Sequence, residues 1–247
     1  MKFVSAHQPA FLPWLGLIHK VIISDMFIFM DIAKFRKRAF MHRNYIEINQ
    51  KENVLGLNIN DKADYLNCDE VKISAFHSDC LKKIKNKIET TYKNTEYFND
   101  LVEFLSNTFE HNQMDLNSIC LKQLLFLKDK FEIKTQIIKE SEILSNNFKS
   151  TPTERLLQHA IQTKANIYIT GTNSVNYLEK KFFDEHKIFN YVQKFNYLPF
   201  NKYQFTNHPL SSIHQISLIG FKKLKKMLLE TQINKQHILE IYDRSRI

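Results

Sequence analysis

The sequence predicts an α/β fold with a mostly parallel, doubly wound, Rossmann-like sheet and a helical block inserted at about residues 77–130. Three observations carry this. Short, continuously apolar runs bounded by polar or turn residues, such as Phe3–Ala6 and Met26–Met30, suit strands buried on both faces. These runs alternate with segments of helical periodicity, the pattern of βαβ units. No Pro-rich linker, low-complexity stretch or internal repeat interrupts the chain, which we read as one domain over residues 1–247.

The first thirty-one residues organise the rest. Phe3–Ala6 reads as a strand and His7-Gln8-Pro9 as a polar turn. Pro13 stands where a helix can start, because the first turn has no use for the missing N–H. Met26–Met30 is the second strand and ends on Asp31. Parallel sheets bind ligands at the carboxyl ends of their strands, so His7, Gln8 and Asp31 are the first candidates. An imidazole there suits general base work, since its ordinary pKa lies near working pH. The plain alternative is a His that braces a rigid Pro turn. Asp31 would orient His7, bind a sugar hydroxyl or take a proton; Asp25 reads as a cap. Trp14, the only Trp, can stack on a sugar or base, or fill core.

Residues 45–48 and 54–59 read as a hairpin around the turn Asn49–Asn53. Three helices follow by i, i+3/i+4 steps, on Leu81 to Tyr92, Phe98 to Leu105 and Ile119 to Leu127. Ile133–Ile138 is strand-like. Ser150-Thr151-Pro152-Thr153-Glu154 is a helix start with a capping residue and early negative charge. Asn166–Ile169 is a strand, Thr170–Ser174 a turn into a helix carrying Tyr177 and Leu178, Phe189–Phe195 a strand, and the tail from Ser212 helical.

Composition bounds the function. With 43% hydrophobic and 13% aromatic residues, 20 of them Phe and 10 Tyr, the chain can bury a large core. The net charge of +9 favours anionic partners: phosphorylated sugars, nucleotides, nucleic acid or a membrane surface. Three Cys without paired spacing read as free thiols of a reducing cytosol, with Cys120 in the core. We expect no signal peptide, no membrane span and no metal, hence a cytoplasmic protein. Gly is rare, at four, so Gly16 and Gly171 each meet a backbone need. The cluster Lys34, Arg36, Lys37, Arg38, His42, Arg43 can clamp a phosphate, or be a solvated loop. Thr172, Asn173 and Ser174 open a helix, where backbone N–H groups can hold an anion. Walker, G-x-S-x-G, H-E-x-x-H and zinc-type spacings are absent.

Scattered blocks resemble the WbqC-like family of bacterial surface-polysaccharide (O-antigen) clusters. They are His7-Gln8-Pro9-x-x-Leu12-Pro13-Trp14-x-Gly16 with Lys20, Asp25 and Asp31; Phe35–Arg38 with Arg43-Asn44; Val54–Ile59; Tyr168–Gly171 with Tyr177-Leu178; and Ser211–Gly220. In the last block His214 stands where an acidic residue is expected. The resemblance implies a glycine-type acyl or aminoacyl transferase acting on an amino sugar of a nucleotide-linked or lipid-linked precursor, its donor a thioester or adenylate. In this leading reading His7 and Asp31 are the catalytic residues, as base and orienter. Gln8, Trp14, Lys20, Arg36, Lys37, Arg43, Asn44, Thr172, Asn173, Ser174 and Tyr177 would bind substrate. The partner expected is an anionic small molecule, a nucleotide sugar or phosphorylated glycan precursor, rather than nucleic acid.

Two other readings stand beside it. One is a nucleotidylyltransferase-like enzyme, although Trp14 and Leu17 occupy the places of the histidines in the H-x-G-H motif. The other is a non-catalytic basic RNA- or partner-binding module, which lacks an RNP-type aromatic strand.

Overall fold

The computed structural model describes residues 1–59, 63–74, 79–109, 115–145, 150–200 and 208–245. Five strands form one sheet: β1 (Phe3–His7), β2 (Met26–Phe29), β5 (Gln136–Lys139), β6 (Ile167–Gly171) and β7 (Phe189–Gln193). A separate hairpin is made by β3 (Arg43–Ile48) and β4 (Lys51–Gly56). The sheet order is β5-β2-β1-β6-β7, and each of its pairings is parallel. In chain order these strands run third, second, first, fourth, fifth across the sheet, which is the Rossmann-like arrangement. The direction of winding reverses between β1 and β6.

The strands are short apolar runs because both faces are covered. Register places Phe3 beside Ile167 and Ser5 beside Ile169, so the odd positions of β1 and β6 share a face. On that face lies α1 (Leu15–Ile22), which leads to Ser24, bonded to Ser5 at 2.7 Å. Beside it lies α8 (Lys235–Arg244), whose Ile238 packs on Phe3, Ile167 and Ile169. On the opposite face Tyr168 meets His159 of α5 (Pro152–Gln162) and Phe183 of α6 (Lys180–Glu185). The helical block is α2 (Cys80–Tyr92), α3 (Phe98–Thr108) and α4 (Leu116–Lys130). It packs with α7 (Ser212–Leu229) and α1 beside the sheet, not upon it as a detached cap.

Most expected elements appear at their expected places. Thr151 and Glu154 form a reciprocal capping box with Pro152 in the first turn of α5, as the sequence reads. The hairpin is displaced from expectation. Asn49 and Gln50 both adopt positive φ, 52° and 60°, giving a tight turn that starts β4 at Lys51 instead of residue 54. The expected helix at Tyr177 is also corrected. A 3-10 helix covers Thr172–Asn176, Tyr177 and Leu178 link it to α6, and Ser174 Oγ donates back to the Gly171 carbonyl. This single short turn is no helix N-terminus for an anion.

Inside α7, Gly220 has φ 73° and ψ 163°, kinking the helix. A Cβ there would lie 2.4 Å from the Tyr97 ring, while the Phe221 N–H beyond the kink donates to Asp100. Gly220→Ala therefore combines a left-handed penalty with a ring clash. We expect a loss of about 2 kcal/mol or more in urea unfolding. An unchanged midpoint would mean the kink is not held by its surroundings.

Candidate functional site

A cleft of about 1070 Å³ opens at the carboxyl ends of β1 and β6. This is the point where strand order reverses, the usual ligand crevice of open α/β sheets. The chain supplies the crevice by topology: His7 and Gln8 leave β1, while Thr170 to Ser174 leave β6 next to them. Because strand side chains alternate, the cleft straddles the sheet edge. Trp14, Gly16, Lys20, Gln193 and Tyr197 form a lobe on the α1 side; Pro152, Arg155, Leu156 and Tyr168 form a lobe on the α5 side.

Of the residues the sequence singles out, His7, Gln8, Trp14, Lys20, Arg36, Thr172, Asn173, Ser174 and Tyr177 line this cleft. Asp31, Lys37, Arg43 and Asn44 do not. Asp31 is buried and turned toward β5, where its two carboxylate oxygens accept from the Ser141 N–H at 3.0 Å and the Ser141 hydroxyl at 2.6 Å. That makes it a cap for the 3-10 turn Glu140–Glu142, not an orienter of His7. Arg43 lies on β3 and donates to the Arg38 carbonyl at 2.8 Å. Asn44 is fully buried, donating to the Leu12 carbonyl and accepting from the Tyr45 N–H, so it braces the loop after β1. The Lys37 N–H donates to Asp64. The basic segment therefore divides: Lys34 and Arg36 reach the cleft mouth, and the rest tie down the loop and hairpin.

His7 is half-buried at the rim. Its Nδ1 stands 2.7 Å from the Gln8 carbonyl, and a carbonyl only accepts, so Nδ1 carries the proton and Nε2 the lone pair. Burial, helped by the neighbouring Lys20 cation, pushes its pKa down to about 3. The ring packs edge-on against Trp14 at 5.1 Å, and Trp14 meets Phe40 at 5.4 Å. Trp14 thus joins core to cleft, with one side available to a ligand. His214 occupies a different groove, with Glu47 and Tyr92, and is kept neutral by burial, its pKa lowered to about 4. Asp25 accepts from the Phe3 N–H and pairs with Lys235, joining strand start to α8.

Of the two glycines the sequence singles out, Gly16 is the one that serves by absent volume. A Cβ on Gly16 would meet the Tyr197 hydroxyl at 2.4 Å, and one on Gly171 would touch the Lys20 amine at 3.4 Å. Neither residue adopts positive φ. Lys20 itself is 6% exposed, and burial lowers its pKa to about 8.

Sequence reasoning missed three supports. Gln193, at the end of β7, donates to the Gly16 carbonyl at 3.2 Å and to His19 Nδ1 at 2.7 Å. His19 in turn faces the Ile233 carbonyl through Nε2, and burial holds its pKa down to about 4. Tyr197 closes over Gly16. On the other side Arg155 donates two bonds of 2.6 Å to Glu140, which also accepts from His159 Nε2 at 2.6 Å; His159 Nδ1 meets the Tyr168 hydroxyl at 3.0 Å. Burial raises the Glu140 pKa, but the His159 and Arg155 bonds outweigh it and leave the carboxyl below its ordinary value. Gln193 ends β7 and Glu140 follows β5, a strand-end position being the one signal that would have flagged them.

The fold and crevice define an α/β protein of the Rossmann-like class with a cleft at its switch point. The WbqC-like protein family model matches residues 8–226, and the chain belongs to that family. It is also similar to an uncharacterised protein, Rv1507c, of Mycobacterium tuberculosis (strain ATCC 25618 / H37Rv). The two are 24% identical over 187 residues, covering 75% of this chain and 79% of that protein. No solved structure matches the chain. No helix among the described residues is long and apolar enough to cross a membrane.

Proposed function

We propose that the protein transfers an acyl or aminoacyl group of glycyl type to the amine of an amino sugar carried on a nucleotide- or lipid-linked glycan precursor, in surface-polysaccharide assembly. The observation that carries this reading is His7: a neutral imidazole, its tautomer set by Gln8, at the rim of a two-lobed cleft. Transfer needs two substrates side by side, and the lobes on opposite faces of the sheet offer one place to each. The amine nitrogen attacks the carbonyl carbon of a thioester or adenylate, a C–N bond forms, the bond from that carbon to sulfur or to the AMP oxygen breaks, and the thiolate or AMP departs. Once bonded, the nitrogen is cationic and its proton far more acidic than before. A weak base suffices, and His7 Nε2 takes that proton. An anionic substrate beside Lys20 would also relieve the charge that depresses His7.

The test is direct. Purified protein is incubated with a glycyl thioester or glycyl-adenylate and a nucleotide-linked amino sugar, and the sugar is followed by mass spectrometry. Amide formation that His7→Ala abolishes supports the reading; no amide from either donor sinks it. The cleft also separates the basic residues. Arg36→Glu should raise the apparent KM for the phosphorylated sugar by roughly tenfold, the equivalent of about 1.4 kcal/mol. Lys37→Glu and Arg43→Glu, off the cleft, should leave it unchanged; equal effects at all three positions would contradict that division. The strand order also favours a nucleotidylyltransferase-like alternative, in which a nucleotide is released or captured with no amide formed.

A further inference from the structure

We propose that Lys20 anchors a diphosphate group in the α1-side lobe of the cleft, so that the carrier of the sugar enters by its diphosphate. The inference rests on the reading above for its substrate class. Lys20 is almost wholly buried, yet its ammonium makes no ion pair or side-chain hydrogen bond among the described residues, and it lies against Gly171 on the cleft wall. A buried ammonium is normally paired, since burying a lone charge costs several kcal/mol. The packing around the Lys20 side chain lowers its pKa to about 8, and its ammonium faces the cleft.

The surroundings say which partner suits this ammonium. No aspartate or glutamate is among the described residues lining the cleft, whereas Lys34, Arg36 and Lys194 line it as well as Lys20. The fifth cation on the wall, Arg155, is already matched by Glu140. A single carboxylate would balance one of the four remaining charges; a diphosphate answers several. Gly171 lies beside the Lys20 amine, and Trp14 and Tyr197 border the same lobe with flat faces for a base, sugar or first isoprene unit. Both sources of the group, a nucleoside diphosphate and a polyisoprenyl diphosphate, present the same chemistry here.

Calorimetric titration of the full chain with inorganic pyrophosphate, UDP and farnesyl diphosphate tests this. Lys20→Met keeps the length of the side chain and removes an unpaired buried charge, so it should fold with an equal or higher melting temperature. It should bind pyrophosphate roughly 10–100-fold more weakly than wild type, the worth of a charge-assisted hydrogen bond. Lys37→Met, off the cleft, should bind as wild type. Wild type that binds pyrophosphate and UDP but not farnesyl diphosphate identifies a nucleotide carrier, and the reverse pattern a lipid carrier; both uphold the subsite. Undiminished pyrophosphate binding by folded Lys20→Met, or no binding of any probe by wild type, overturns it. Diphosphate capture that depends on Lys20 without amide formation would leave the subsite standing and remove the transferase reading.

Discussion

Replacing His7 by Ala should lower turnover by roughly 10²–10⁴-fold, the usual worth of a positioned base. The variant should melt within a few degrees of wild type, since the ring is only half-buried and its bond to the Gln8 carbonyl is local. His7→Gln retains volume and a donor for Gln8 but has no basic nitrogen, so it should fold and stay slow. A fast His7→Gln enzyme would return His7 to a turn brace. The pH dependence has a definite sign. With its pKa at about 3, His7 of the free protein is neutral across the physiological range, and no loss of kcat/KM from its protonation should appear until pH falls toward that value. A kcat/KM that fell on acidification through pH 6.5 would assign the base to a different group.

The second large effect concerns the network under the α5 lobe. Glu140→Ala removes the acceptor for Arg155 and for His159 together, in a site where Glu140 and His159 are fully buried. Leaving a cation and a ring N–H without their carboxylate should cost about 3 kcal/mol, or roughly 6–12 °C in melting temperature for a chain of this size. Glu140→Gln keeps one acceptor oxygen and should lose less. Because the Glu140 pKa is lowered in the folded protein, its contribution is complete above the unfolded value of 4.5 and is lost as pH falls through the folded one. The melting curves of wild type and Glu140→Ala should therefore converge only below about pH 4.5. Convergence already at neutral pH would show that the network adds no stability.

Several features were legible before any coordinates. Continuous apolar runs at Phe3 and Met26 marked strands covered on both faces. The Thr151–Glu154 box marked α5, and the rule of strand carboxyl ends led to His7, Gln8 and the Thr172–Ser174 turn. Asp31 satisfied the same rule and failed. That rule locates a residue along a strand but not the side to which its carboxylate turns, and Ser141, 110 positions away, captures it. Arg36 and Arg43 looked alike in one basic run. Pairing of Arg43 with Gly56 in the hairpin took it away from the cleft.

The sequence by itself determined the class of fold, the place of the crevice and the family resemblance. Each depends on local pattern, on hydrophobic period and on residue types at fixed spacing, which the chain carries from end to end. Tertiary structure alone decided which polar groups were already spoken for. Asp31, Asn44 and Arg155 meet partners remote in sequence, while Lys20, embedded in an apolar helix face, meets none among the described residues. Whether a buried charge has its counterion is a property of packing across the sheet, and spacing along the chain carries no record of it.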